Sequence, residues 1–395
     1  NEISTDATSP YEATLDTTAL SDGAHTVTAR AFDRAGNETT AQISLTVNNG
    51  GGGLPPDPAT QATTVDPTQA YTVAGATAFL YTGADPVQTG VDPATIEKRR
   101  GAVVRGQVKD RNGDPIAGVT VTVLNHQEYG QTLTRADGAF DMAVNGGGTL
   151  TVNFAKSGLL TVQRKVEPRW NDYAIVPEVV MIALDNQVTT VDLGATAMQV
   201  ARGSQVSDAD GSRRATLLVP AGTSATAVSA DGSSRSLATL SVRATEYTVG
   251  DAGAEAMPAR LPAASGYTYA VEYTADEALD AAKINFDQPL YHYQENFLGF
   301  PVGSAVPAGY YDRTQGQWIA SDNGRVIEIV SESGGLAQLD TDGDGSADDA
   351  PTLAALNISD AEREKLADLY APNDTLWRVP ITHFTPWDHN WPYDI

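Results

Sequence analysis

The chain contains no cysteine, so neither a disulfide nor a thiolate zinc site can hold it together, and sheet burial or bound cations must do so instead. Cysteine usage leaves the redox compartment open. No apolar run approaches the ~18 to 20 residues that span a bilayer. No basic segment followed by an apolar stretch marks a signal peptide either, so no membrane insertion is expected. Basic residues are scarce as well: 25 Lys and Arg face 50 Asp and Glu, a formal charge of −25. Phosphate backbones and anionic headgroups are bound by basic surface, so nucleic acid and membrane surfaces are excluded as expected partners. An acidic surface attracts divalent cations and keeps an exposed protein soluble, and it is equally the mark of a salt-adapted proteome. There is no initiator Met, and the first segment is short of strands for a complete sandwich, so the chain reads as an internal fragment.

What is abundant is turn-forming and β-forming. With 36 Gly, 21 Pro and only 19% charged residues, the composition favours short strands and tight turns. At 395 residues the chain exceeds the size at which one core stops growing. The expected fold class is all-β, with several small β-sandwich domains in tandem and one short helix near the C-terminus.

Residues 1–48 read as strand, turn and strand: Tyr11 to Leu15, His25 to Phe32, a turn at Asp33 to Asn37, then Ala41 to Val47. The string DGAHTVTARAFDRAGN resembles the C-terminal half of a bacterial Ig-like domain, a stalk module. Residues 49–69 start as NGGGGLPPDP, in which glycines loosen and prolines stiffen an interdomain linker. In residues 70–174, YTVAGATAFLYTG reads as a strand and DPVQTGVDPATIEKRR as a surface loop. Val103 to Val108 and Val119 to Leu124 then flank an Asn112-Gly113 turn, the signature of a hairpin. Gly146-Gly147-Gly148, lacking the lysine and helix of a phosphate loop, reads as another hairpin turn between Ala139 to Val144 and Leu150 to Phe154. Residues 175–338 form a second β-rich domain. Residues 339–376 hold an acidic loop and a helix from Ser359 to Tyr370, opened by a Ser359/Glu362 capping box. Residues 377–395 form an aromatic extended segment.

Three constellations carry chemistry. In DTDGDGSADD, Asp340, Asp342, Asp344 and Asp348 alternate, Ser346 offers its carbonyl, and Gly345 permits a sharp turn. Oxygen-only donors in this pattern fit Ca²⁺. Position twelve of an EF-hand loop falls on Pro351, which cannot chelate, so either binding is weaker or Asp349 or a distant carboxylate completes the shell. The bland alternative is a solvated acidic turn. His383-Phe384-Thr385 resembles the His-hydrophobic-Thr/Ser sites of autoproteolytic β-domains, where the hydroxyl attacks the preceding carbonyl and the His moves its proton. Against that stands packing: Phe384, Trp387, Trp391 and Tyr393 suit an aromatic anchor for an extended strand. Tyr291, Tyr293, Phe297, Phe300, Tyr310, Tyr311 and Trp318 offer either a sugar-stacking platform or, more simply, core. A metal at His383, Asp388 and His389, and an acid/base pair of Asp388 and Asp394, lack supporting spacing. No GxSxG elbow occurs.

FLYTGADPVQTGV, GQVKDRNGDPIAGVTVTVLNHQEYGQTLTRADGAFDMAVNGG, the DTDGDG loop, ISDAEREKLADLY and LWRVPITHFTPWDHNWPYD, in that order, resemble the region upstream of YD repeats in bacterial Rhs/teneurin-like proteins. The resemblance covers roughly 70 to 395, and the sandwich alone is similar to carboxypeptidase-regulatory-like domains. It implies a hollow β-shell downstream in the same polypeptide, into which Phe384, Trp387, Trp391 and Tyr393 dock. It implies a non-enzymatic stalk or plug on the outside of a bacterium, presenting a shell with toxic or adhesive cargo. A surface adhesin binding glycan or protein, and a self-cleaving domain acting at Phe384-Thr385, are the rival readings.

Overall fold

The computed structural model describes residues 23–32, 37–47, 53–64, 66, 68–262 and 265–391. The expected strand at Tyr11 to Leu15, and Tyr393 and Asp394, lie outside them. Gly23–Phe32 and Glu38–Val47 form an antiparallel ladder, paired from Gly23 with Val47 to Phe32 with Glu38.

Two sheets make the first sandwich. Gly101–Lys109 is central in one, with Ala139–Asn145 antiparallel along one edge and Tyr173–Ile175 and Val179–Val180 parallel along the other. The second runs Gln88–Thr89, Gln131–Leu133, Thr120–Val123, Leu150–Ala155, Val162–Val166. Val103, Val121, Val144, Val152, Phe154 and Val162 fill the space between, with Phe140 edge-on to Phe154 at 5.3 Å.

The two expected hairpins are corrected, because each pair of strands is split between sheets. Asp110 accepts from Asn112 N and Asp114 N at 2.8 and 2.9 Å, and Ile116 N returns to Val108 O at 3.0 Å. Gly118, at φ +69°, then sends the chain to the other sheet. Gly146 to Gly148 likewise carries the chain across the sandwich rather than back along one sheet. A third correction falls on YTVAGATAFLYTG, which is helical at Val73–Ala76 and Ala78–Leu80. Thr72 caps that turn by accepting from Gly75 N, and a short apolar run has no periodicity to separate strand from helix. The following segment is no free loop: Gln88 is fully buried and bonds Tyr129 O, Ala143 O and Ala143 N.

The second body has three layers. A six-stranded sheet runs Thr189–Asp192, Thr239–Glu246, Ala270–Ala275, Pro386–Asp388, Gly309–Asp312, Gln317–Ala320. It faces a nine-stranded sheet whose middle is Lys283–Glu295, Thr375–Phe384 and Gly324–Ser333. The helices Ala350–Ala355 and Asp360–Leu369 form the third layer, on the outer side of the nine-stranded sheet. Alternate residues of one strand therefore serve different cores. Leu217, Val326 and Trp377 point between the sheets, while Leu218, Ile327 and Leu376 point at the helices.

This topology joins the described residues from Thr189 onward, set apart as parts of 175–338, 339–376 and 377–395, into one body, since Thr375–Phe384 pairs with both Lys283–Glu295 and Gly324–Ser333, while Tyr173–Ile175 and Val179–Val180 stay with the first sandwich. The capping box is half formed. Ser359 Oγ accepts from Glu362 N at 3.2 Å, but the Glu362 carboxylate turns inward instead of back to the cap.

Candidate functional site

The acidic loop leaves Leu336–Asp340 at the edge of the nine-stranded sheet and enters the helix Ala350–Ala355. Oxygens of Asp340, Asp342 and Asp344 lie within 4.8 Å of one another, the one such group of three metal-type ligands among the described residues. Asp340 is buried and its carboxylate organises the turn, accepting from Asp342 N, Gly343 N and Gly345 N at 3.0, 2.7 and 2.8 Å. Asp342 and Asp344 are exposed, each with one oxygen on a backbone N–H two residues on. Asp348 is committed elsewhere: one oxygen accepts from Thr341 N at 2.8 Å and Thr341 Oγ1 at 2.6 Å. Asp349 is the cap of the next helix, accepting from Thr352 N at 2.9 Å, and Pro351 starts that helix with the φ it already favours. A hard, oxygen-seeking cation fits the Asp340, Asp342, Asp344 cradle, which holds three carboxylates and no softer donor.

The aromatic segment occupies the centre of the second body. Thr375–Phe384 ends in the nine-stranded sheet, Thr385 bridges the gap, and Pro386–Asp388 pairs with Ala270–Ala275 and Gly309–Asp312 in the other sheet. Phe384 and Trp387 are buried in the core between the sheets. Trp391 stacks on Phe300 with ring centroids 3.9 Å apart. These side chains are thus engaged by their own sandwich. Of the proposed sugar platform, Tyr291, Tyr293 and Tyr311 are buried, and Phe297, Phe300, Tyr310 and Trp318 are partly buried, so the set presents no exposed stacking face.

At the bridge, Thr385 Oγ1 lies 3.0 Å from His383 Nδ1. The His383 ring is stacked on Trp387 and edge-on to Tyr310, and Trp387 Nε1 donates to His383 O at 3.0 Å. Burial, with Lys283 nearby, pulls the His383 pKa down to about 4, so the imidazole is neutral at pH 7 and able to accept a proton. Sequence reasoning placed His383 and Thr385 together. It missed a second buried pair, His292 and His389, stacked at 5.1 Å, with Tyr273 OH 2.6 Å from His292 Nδ1 and the Tyr269 ring alongside. Asp388, in turn, is pushed up to about 6 by burial. His383 and His389 face different neighbours, and no metal-type cluster joins them among the described residues.

A polar joint locks the two sandwiches. Arg313 donates to both Glu272 oxygens at 2.6 and 2.7 Å and to Thr161 O of the first sandwich at 2.9 Å. Tyr247 OH donates to the same carboxylate. Gln163 receives Tyr311 OH at 2.6 Å, donates to Arg313 O at 2.9 Å, and bonds Pro258 O through its backbone. Buried Arg164 donates to carbonyls of Glu178, Glu255 and Met257, and burial lowers its pKa to about 10. Every one of these partners is far apart in sequence, which is why no motif announced the joint.

Residues 96–181 match the family model of the Teneurin TTR-like domain. Chicken Teneurin-1 is 38% identical over 109 residues, covering 27% of this chain and 4% of that protein. Mouse Teneurin-3 is 37% identical over 111 residues, covering 28% and 4%. Fruit-fly Teneurin-m is 41% identical over 87 residues, covering 22% and 3%. The chain therefore spans only a few per cent of the length of these relatives, and the family-model match lies in the first sandwich. Among solved structures, a streptococcal ancillary pilin aligns with 35% of this chain and 59% of its own at 14% identity, with a TM-score of 0.19.

Proposed function

We propose that the chain is a non-enzymatic, extracellular β-rod that carries and closes one end of a YD-repeat shell following it in the same polypeptide. The observation that carries this reading is the path of residues 375–391. The segment runs through the middle of both sheets of the second body, so a domain continuing from it is held by a central strand of each. The locked joint between the sandwiches supports the same reading, because a presenting rod transmits position only if its domains do not swivel. The teneurin-like first sandwich and the ordered motifs of the Rhs-type region point the same way. Under this reading the acidic loop takes Ca²⁺ as a structural ion, on Asp340, Asp342 and Asp344 with Ser346 and Asp348, and stiffens the entry to the helices. The bacterial surface is the proposed location, and a toxic or adhesive cargo the proposed passenger of the shell.

The test is the natural full-length protein viewed by electron cryomicroscopy. The expected image has a YD-repeat shell with the second body seated at its mouth. A full-length chain without such repeats, or a second body swinging free of them, overturns the reading.

One contact favours a second reading, self-cleavage at Phe384-Thr385. In this reading Thr385 Oγ1, 3.0 Å from the Nδ1 of a neutral His383, passes its proton to that ring and attacks the Phe384 carbonyl carbon, and the ring returns the proton to the leaving amine. The C–N bond then breaks to leave an ester and a free amine, and water hydrolyses the ester. Intact mass of the purified protein decides: two fragments separated between Phe384 and Thr385, and none in Thr385→Ala, support it, and a single full-length mass after prolonged incubation at pH 7 ends it.

A further inference from the structure

We infer that the end of the first sandwich bearing Trp170 and the strand Tyr173–Ile175 is a docking surface for an extended acidic polypeptide segment. Trp170 is 58% exposed, Tyr173 46% and Ile175 68%, and all three belong to one six-residue stretch. Large apolar side chains gathered in this way on a soluble surface mark an interaction site.

The indole is held in place rather than left loose. A Cβ on Gly147, whose φ is +100°, would stand 2.2 Å from Trp170 Nε1, and one on Gly146 would stand 2.5 Å from Arg169 O. Gly147 N also donates to Pro168 O at 2.8 Å. The triple-glycine crossing is thus a seat beneath Arg169 and Trp170, and side chains there would dislodge them.

The strand beside it is open. Tyr173–Ile175 pairs with Gly101–Lys109 on one side only and is the outermost strand of its sheet. Asp172 O accepts from Val103 N and Val176 N donates to Arg105 O, so the even-numbered residues bond inward. By the alternation of a strand, Tyr173 and Ile175 turn their backbone groups away from Gly101–Lys109; the Asp172 carboxylate takes Tyr173 N at 2.8 Å, which leaves the Tyr173 carbonyl and the Ile175 N–H and carbonyl on the open side. Such an edge accepts an added strand, with main-chain bonds for affinity and alternate side chains for selectivity.

Charge names the partner. Asn171 bonds Arg99 O at 2.8 Å and Gly101 O at 3.1 Å, which ties the backbone that follows Lys98 to the turn that carries Arg169 and Trp170, and Lys98, Arg99 and Arg169 are all exposed. In a chain of net charge −25, these three cations have no carboxylate within ion-pair distance among the described residues. Glu97 pairs with Arg100, and Glu167 and Asp172 accept from the neutral donors Thr149 Oγ1 and Tyr173 N, so the four cations Lys98, Arg99, Arg100 and Arg169 outnumber the three carboxylates Glu97, Glu167 and Asp172 by one. A strand carrying acidic residues beside apolar ones satisfies the backbone edge, the aromatic face and the free cations together. Nucleic acid satisfies only the cations and offers no strand to the open edge.

The experiment uses fluorescently labelled poly(Glu,Tyr), a random acidic and aromatic polypeptide, titrated against the whole chain by anisotropy at low and moderate salt. Saturable binding that weakens with salt is expected. Trp170→Ala should weaken it about 30-fold, the loss typical of an aromatic anchor. Arg99→Glu with Arg169→Glu should weaken it about tenfold and flatten the salt dependence. Ile175→Pro, which removes an outward N–H and no ladder bond, should weaken it as well, with circular dichroism and melting unchanged in all variants. Absent binding, equal binding of heparin or single-stranded DNA, or variants that bind like the parent overturn the assignment.

Discussion

Glu362 and Arg378 meet at 2.7 Å in a pair that is almost wholly removed from solvent and ties the helix Asp360–Leu369 to the strand Thr375–Phe384. Tyr293 OH donates to the same carboxylate at 2.5 Å, and the Arg378 guanidinium lies 4.1 Å from the centre of the Tyr291 ring. Removing one member of such a pair strands the other. Arg378→Met is expected to destabilise the second body by about 3–5 kcal/mol, whereas Arg378→Met combined with Glu362→Leu should recover most of that loss. Urea unfolding followed by tryptophan fluorescence measures both. Equal stabilities for the single and double variants would show that the pair is not coupled.

Arg313 does for the two sandwiches what Arg378 does for helix and sheet, since Glu272 belongs to the second and Thr161 to the first. Arg313→Ala leaves the Glu272 carboxylate without its cation and the Thr161 carbonyl without a donor. The sandwiches should then melt separately. Calorimetry is expected to resolve two transitions where the parent shows one, and small-angle scattering should show a larger radius of gyration. One unshifted transition in the variant would refute the joint's role.

Which parts of this architecture were legible in the sequence follows from the range of the forces involved. Local signals read correctly: the helix cap at Ser359 sits where capping puts it, and Val103 to Val108, Ala139 to Val144 and Leu150 to Phe154 fall within the strands Gly101–Lys109, Ala139–Asn145 and Leu150–Ala155. Partners across the sheet did not read, because an Asn-Gly turn says that the chain bends and not which sheet it enters. The third layer left a faint trace. Thr216–Val219 is buried at every position, and its TLLV string carries no polar face to alternate with. The tail misled for a different reason. Aromatic residues around prolines suit an anchor for a separate body and a core strand equally, and only the pairing of Pro386–Asp388 with Ala270–Ala275 distinguishes them. The buried histidines His292 and His389 were invisible for the same cause, standing almost a hundred positions apart in a chain whose pattern gives no hint that they touch.

The proposed calcium binding gives a clean readout because two of the proposed ligands, Asp342 and Asp344, are exposed and each holds only a local backbone N–H. Terbium luminescence or calorimetry is expected to find one high-affinity equivalent, lost in Asp342→Asn with Asp344→Asn. At a free concentration about 100 times the dissociation constant, an ion bound only to the folded state adds about 2.7 kcal/mol. Ca²⁺ should therefore raise the melting temperature of the parent and leave the double variant unmoved. An identical rise in both would place the ion elsewhere, and no rise in either would leave the loop a self-bonded acidic turn.

Acid should loosen the second body. Burial depresses His383 and His389 to about 4 and His292 well below the ordinary imidazole value of 6.5. The groups facing them do not reverse this: His292 meets Tyr273, Tyr269 and His389, while Lys283 opposes protonation of His383 more than Asp312 assists it. Above pH 6.5 both folded and unfolded chains hold these rings neutral, and the stability is fully present. As pH falls from 6.5 toward 4, the unfolded chain takes up protons that the folded chain refuses, so stability falls. Asp388 works in the opposite direction, because its raised pKa of about 6 lets the folded chain bind a proton between pH 6 and 3.8 that the unfolded chain does not. Glu246, also raised by burial, acts in the same direction as Asp388. Three histidines against these two carboxylates leave a net uptake on unfolding, and each unbalanced proton lowers the folding constant about tenfold per pH unit. Urea midpoints of the second body should therefore drop between pH 6.5 and 5, and His292→Gln should shrink the drop. A midpoint that holds steady or rises over that interval would mean the rings are reached by water in the folded state.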